Sequence, residues 1–284
     1  MGWVLLALAS AVFWAGTDLF AKRALGHLPV AAVAWARVAL PVPALAVAVA
    51  LWGWETPRGP FWWALGAALP LEVLAALLQQ RALQLSPLGL TAPYLAFTPA
   101  FLAVTGRWIL GEVPTGWAYG GIALVTLGGY WLQLDPGAGF WGPIRSLRRE
   151  RGSVLMLGVA FLYSLTAALG KVAVVHSNPA TFALVYYAAV SVALAPWAFQ
   201  SVRHLARPRF GEALPVGLLG AAMILTHLAA IRIAPASYMI AVKRTSLLWS
   251  ILLGGLVLKE PHLGRRLAAG LAMMAGVVAL AASF

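Results

Sequence analysis

The sequence contains no cysteine and little charge. Of its 284 residues only 8 are Asp or Glu, and charged residues of both signs make up 10%, against about 25% in ordinary soluble domains. Without cysteine there is no disulfide framework, no thiol nucleophile and no thiolate metal site. So little charge excludes a soluble globular enzyme and a disordered chain alike. The five histidines (His27, His176, His204, His227 and His262) are scattered and form no metal-like cluster with the acids. The patterns HExxH, GxxxxGK[ST] and GxSxG are also missing, so zinc-protease, P-loop and hydrolase chemistry lack their residues. No metal or cofactor is expected, and any active transport must use an ion gradient or exchange.

Apolar residues are abundant instead, at 62% hydrophobic side chains with a mean hydropathy of +0.87. A transmembrane helix needs roughly 20 apolar residues. Run lengths and polar breaks predict spans at about 3–22, 30–52, 61–81, 87–110, 116–133, 153–174, 179–200, 213–232, 236–258 and 264–283. The predicted fold is therefore all-α and integral to the membrane. Strands are excluded because an unpartnered backbone group in lipid costs several kcal/mol and the alternation of a barrel is absent. Met1 runs straight into apolar residues with no basic segment before them, which reads as a retained first span rather than a cleaved leader. Prolines and glycines mark the breaks, at Gly26 to Pro29, Thr56 to Pro60, Ser86-Pro87, Val113-Pro114, Asn178-Pro179, Ala234-Pro235 and Glu260-Pro261. Tryptophans beside them, such as Trp52, Trp54, Trp62, Trp63, Trp108 and Trp117, match an aromatic belt.

The two halves resemble each other at an offset of 148–150 residues. Trp14 with Lys22 corresponds to Tyr163 with Lys171, Pro29 to Pro179, and Ser86-Pro87 to Ala234-Pro235. Glu112 corresponds to Glu260, and Gly116 and Gly128 to Gly264 and Gly276. A register kept over most of both halves indicates duplication. Residues 1–135 form the first repeat, 136–151 a basic linker, and 152–284 the second. Five spans per repeat is an odd number, so the copies enter the membrane in opposite senses, as inverted repeats.

The net charge of +12 would suggest nucleic acid in a soluble protein; here no nucleic-acid partner is expected, and the basic residues suit cytoplasmic loops and anionic headgroups. On the ten-span layout one face carries 13 Lys and Arg and the other four. The positive-inside rule then puts the linker 136–151 in the cytoplasm and both termini outside, in the plasma membrane.

Ionisable groups within spans are few, and each is expensive in hydrocarbon. Glu72 is near the middle of the third span with Gln79 on the same face at i+7; His227 is the repeat counterpart of Gln79. These make a polar stripe, with Glu72 either a proton or ammonium site or an acid neutralised by a neighbour. Lys243 and Arg244 are adjacent in the ninth span, where a continuous helix points them about 100° apart, with Lys243 on the face of Ser246 and Ser250. One of them binds an anionic group, or both pair with Glu72 or Asp18. Asp18 precedes Lys22 at i+4, a spacing for an intrahelical pair, and is the second coupling candidate. Trp14, Tyr163, Tyr94 and Trp249 are aromatic candidates for the same space, with core packing as the alternative. Glu112, Glu260, Pro87 and Pro235 sit at helix ends and read as structural.

In layout and motifs the chain resembles the EamA-type branch of the drug/metabolite transporter superfamily. The resemblance is carried by Trp14 with Lys22, Pro29 with Arg37, Ala82-Leu-x-Leu-Ser-Pro87, Pro99, Leu110-Gly-Glu112, Gly120-x7-Gly128, and in the second half Lys171, Pro179, Ala234-Pro235, Leu258-Lys-Glu260 and Gly270-x5-Gly276. It implies a small-solute carrier, not an enzyme, with a central cavity lined mainly by spans 1, 3, 4, 6, 8 and 9. It also implies that Arg37 is a structural tether to the end of a neighbouring helix. The expected function is export of a small polar metabolite such as an amino acid, with a coupling proton, as a monomer or homodimer. The alternatives are translocation of a lipid-linked or other amphipathic anion and, far behind, a lipid-modifying enzyme. The halves are unequal, since Tyr187 stands opposite Arg37 and Leu95-Ala96 opposite Lys243-Arg244.

Overall fold

A computed structural model describes residues 2–86, 91–131, 141, 150–203, 210–258 and 263–282. Pro87, Glu260 and nearly all of the linker lie outside the described residues. Within them the chain is helical, with no strand. The first half contains α1 (Gly2–Ala24), α2 (Val30–Ala39), α3 (Val42–Trp52), α4 (Gly59–Leu85), a 3-10 segment (Ala92–Phe97), α5 (Thr98–Leu110) and α6 (Gly116–Trp131). The second contains α7 (Arg151–Val175), α8 (Pro179–Val202), a short 3-10 turn (Phe210–Ala213), α9 (Leu214–Ile233), α10 (Ala236–Lys243), α11 (Ser246–Leu258) and α12 (Leu263–Ala282).

Six stretches are long and apolar enough to cross a membrane: Gly2–Ala24, Val30–Trp52, Gly59–Leu85, Arg151–Val175, Pro179–Val202 and Leu214–Ile233. They are the same three segments in each repeat. Two interruptions were not read from the sequence. The stretch from Val30 breaks at Leu40-Pro41, where proline cannot donate the ladder hydrogen bond. The stretch from Ala236 breaks at Arg244-Thr245. There Arg244 N–H is shared between Ile240 O and Ala241 O, and Thr245 N–H turns back to Val242 O, all at 3.1 Å. The 3-10 segment ahead of α5 is the counterpart of this break: α5 begins at Thr98 and α11 at Ser246, 148 residues apart.

Packing repeats as well. α4 lies along α7 and α1 along α9; α5 contacts α7 and α11 contacts α1. Exchanging the halves turns each of these pairs into the other. α2 with α8 and α6 with α12 map onto themselves. This is what a pseudo-two-fold axis between the repeats requires. Close approach along it relies on glycine: a Cβ on Gly121 would come 2.7 Å from Leu280 Cγ, and one on Gly276 2.8 Å from Gly121 O. Large exposed side chains such as Trp108, Trp117, Leu51 and Val192 cover the outside, so the apolar exterior and the helical backbone both suit lipid.

Candidate functional site

A cavity of about 80 Å³ lies where the two halves meet. A buried water needs roughly 10–15 Å³, so the space holds several. Its walls come from α1, α4, α7, α8, α9 and α10, and its polar lining includes Glu72, Tyr163, Thr166, Tyr187, His227, Lys243 and Arg244.

Trp14 of α1 forms the centre. Three cations lie over its ring, with Lys243 Nζ 4.4 Å, Arg37 Cζ 4.6 Å and Arg244 Cζ 5.9 Å from the centroid, all within cation–π range. The break after α10 explains how two neighbouring residues reach one ring. On a continuous helix they would diverge; here the turn at Arg244 brings both side chains to the cavity. For the same reason Lys243 does not share a helical face with Ser246 and Ser250, which belong to α11.

The cations differ in their partners. Arg37 donates to Asp18 at 2.6 Å in a buried ion pair. Asp18 is thus held across two helices by Arg37 rather than by Lys22 one turn away. The reason is reach: Lys22 extends instead to the carbonyls of Leu83 and Ser86 at the end of α4. Arg37 is accordingly tied to mid-α1, not to a neighbouring helix end. Arg244 Nη2 donates to Thr98 Oγ1 at 2.8 Å, and its Nε has no hydrogen-bond partner among the described residues. Lys243 Nζ is 3.3 Å from the thioether of Met223 and, among the described residues, has no carboxylate within ion-pair distance. Burying a cation without a carboxylate is costly.

Glu72 faces the cavity with a neutral partner, accepting from Tyr186 Oη–H at 3.0 Å. Gln79 accepts from Tyr163 Oη–H, while its Nε2 and His227 Nδ1 have no hydrogen-bond partner among the described residues. Trp14 and Tyr163 meet edge to face with centroids 6.0 Å apart. Tyr94 is buried outside the cavity lining. Trp249 is also outside it and 39% exposed, because α11 turns that ring toward the exterior.

Toward one end of the cavity Lys171 forms an ion pair with Glu112 and donates to Ala234 O at 2.6 Å. Glu112 also accepts from Ala236 N–H at 2.9 Å, which caps α10 behind its N-cap residue Pro235. Lys22 on Ser86 O is the repeat counterpart of Lys171 on Ala234 O. Tyr186, Thr166 and Met223 were missed in the sequence. Tyr186 adjoins a tyrosine within an apolar span, and that hydroxyl pair was the available signal; Met223 had none.

The profile of the EamA-like transporter family matches residues 1–133 and again residues 150–282. No protein of curated function matches the chain. Among solved structures, one crystal structure of a protein superposes with a TM-score of 0.73 at 13% identity, covering 98% of this chain and 95% of the other; it shares the fold. Matched in both halves over nearly its whole length, this chain is a multi-pass integral membrane protein and belongs to the EamA-like transporter family, membrane transporters of the drug/metabolite transporter superfamily.

Proposed function

We propose that the protein is a secondary carrier exporting a small polar metabolite of the amino-acid type, by alternating access between two inverted five-helix repeats that together span the bilayer ten times. One observation carries this reading: Lys243, a buried cation with no carboxylate at ion-pair distance among the described residues, shares a cavity with Glu72, an acid that accepts from the neutral Tyr186 hydroxyl. A solute bearing both a carboxylate and an ammonium would supply what each lacks. One wall of the cavity is α10 up to its break at Arg244, and interrupted helices of this kind are where transporters of inverted design bind their cargo.

Glu72 is the coupling group in this reading. Asp18 is already committed to Arg37, whereas Glu72 can exchange a proton with the cavity. The basic loops, linker 136–151 included, face the cytoplasm of the plasma membrane. Translocation of an amphipathic anion is the second reading, favoured by the excess of cations around Trp14 and the apolar walls at Phe182, Ile231 and Ile240.

Proteoliposomes and a mixture of tritiated L-amino acids test the proposal. Wild-type vesicles take up label in response to an imposed pH gradient. Lys243→Met lowers uptake at least tenfold and melts no lower than wild type, since it removes an unpaired buried charge. Glu72→Gln keeps exchange but loses the response to the gradient. Wild-type uptake in both variants would remove these two residues from the pathway.

A further inference from the structure

The cavity occupies only one half of the molecule's depth. From Trp14 at mid-helix its walls run toward Gly170, Phe182 and Ile231, near the end of α7, the start of α8 and the end of α9. Those three ends lie on one face, the face of residues 176–178. Toward the opposite face, that of residues 25–29, the core is closed. The start of α9 closes it by packing on α1 and on the break between α2 and α3. A Cβ on Gly217 would overlap Leu40, one on Gly220 would come 3.1 Å from Pro41 Cγ, and one on Gly16 2.9 Å from Leu219 Cδ1.

The repeat assigns each wall residue a counterpart in that closed half. At offsets of 148–150 residues, Thr166, Ala167 and Tyr187 map to Thr17, Asp18 and Arg37; His227, Leu228 and Ile231 map to Gln79, Gln80 and Leu83. All six counterparts are buried. A permanently closed seam between lipid-embedded helices has no use for such groups. Yet among the described residues both polar atoms of the Gln80 amide lack a hydrogen-bond partner, as do Gln79 Nε2 and Arg37 Nη2. Leaving a buried polar group unsatisfied is costly, and a second state that wets these atoms removes that cost. Trp14 and Tyr163 are each other's counterparts and touch. A residue in contact with its own counterpart must lie beside the pseudo-two-fold axis, so this aromatic pair borders the cavity whichever half is open.

We infer that Thr17, Asp18, Arg37, Gln79, Gln80 and Leu83 form a second half-site that faces the opposite side of the membrane and opens when α9 withdraws from Leu40 and Pro41. The inference rests on the carrier reading above and adds the residues that meet the solute in the other state. Each half-site holds one carboxylate and at least one cation around Trp14: Glu72 with Lys243 and Arg244, then Asp18 with Arg37. A zwitterion therefore meets charges of both signs before and after the change. The second half-site is the roomier one, because Phe182 and Tyr186 are replaced by Ala32 and Ala36.

The absence of native cysteine permits a direct test. Single-cysteine variants Ala36→Cys and Gln80→Cys probe the closed half, and Gly170→Cys the open one, where a Cβ meets only ordinary contacts with Phe182 at 3.6 Å and beyond. Each is reconstituted and treated with a membrane-impermeant maleimide from either face. Positions 36 and 80 are expected to react only from the face of residues 25–29, and position 170 only from the face of residues 176–178. Adding Gly217→Ala, which wedges α9 away from Leu40, should raise labelling at 36 and 80 several-fold and lower it at 170. Silence at both 36 and 80 from either face, or their reaction from the same face as 170, overturns the inference. Uptake of tritiated amino acids by the same vesicles separates the two ideas. Uptake with 36 and 80 silent removes the second half-site and leaves the carrier. Two-sided labelling without uptake removes the solute class and leaves the half-site.

Discussion

Trp14 shows how much of this site depends on individual side chains. Its ring is the common neighbour of Arg37, Lys243 and Arg244, and only Arg37 among them has a carboxylate at ion-pair distance among the described residues. A buried pair of this kind adds little over an apolar replacement, but losing one member strands the other. Asp18→Asn and Arg37→Met should each destabilise the folded protein by about 3–5 kcal/mol, read as a lower midpoint of thermal unfolding in detergent. The double variant Asp18→Leu with Arg37→Met should recover most of that loss. Single variants that melt like wild type would mean the pair is not formed. The sequence had marked both residues as expensive. It could not choose their pairing, since the i+4 spacing of Asp18 and Lys22 is a property of one helix and the Asp18–Arg37 contact joins two.

At the scale of elements, glycine placement decides which helices touch. α6 has two kinds of glycine. Gly129 lies against Ala96 at the 3-10 segment ahead of α5, so closely that an added Cβ would overlap the alanine methyl. Gly120 has nothing within 4 Å of where a Cβ would stand. Gly129→Ala should therefore cost about 1–3 kcal/mol through overpacking, whereas Gly120→Ala should be neutral or up to about 1 kcal/mol stabilising from its helix preference. Denaturant titration of the helical circular-dichroism signal checks both, and equal effects would mean that α6 does not pack on the 3-10 segment. Small residues spaced like Gly116-x3-Gly120 permit close helix packing, yet on α6 that pair is open and the tight contacts are at Gly121 and Gly129. A spacing marks a face, and the partner's position determines which side of the helix is crowded.

For the whole molecule the governing feature is the exchange of the repeats. Helix pairs transform into one another when the halves are swapped, and the two lysines at equivalent positions reach equivalent carbonyls at Ser86 and Ala234. The halves still differ where chemistry resides, at Lys243-Arg244 against Leu95-Ala96 and at Arg37 against Tyr187. In the carrier reading proposed above, a duplicated frame with unequal linings would give one solute two different environments. Orientation belongs to this scale too. An epitope inserted in the linker 136–151 should be reached by antibody only after the membrane of intact cells is permeabilised, following the excess of basic residues on that face. Binding to intact, sealed cells would reverse the assignment.

Composition and order of residues alone determined that the chain is helical and membrane-embedded, that it is duplicated, and where the outer ends of its apolar stretches fall, but not the breaks inside the stretches from Val30 and Ala236 or the 3-10 segment ahead of α5. Those properties follow from apolar run length and from proline and glycine, which act locally. The tertiary structure alone decided that Asp18 pairs with Arg37, that a turn after Lys243 brings two adjacent cations to one tryptophan, and that Trp249 faces outward. Each of these depends on where a second helix lies, and within a lipid-soluble helix the one-dimensional pattern carries little sidedness, because both faces are apolar.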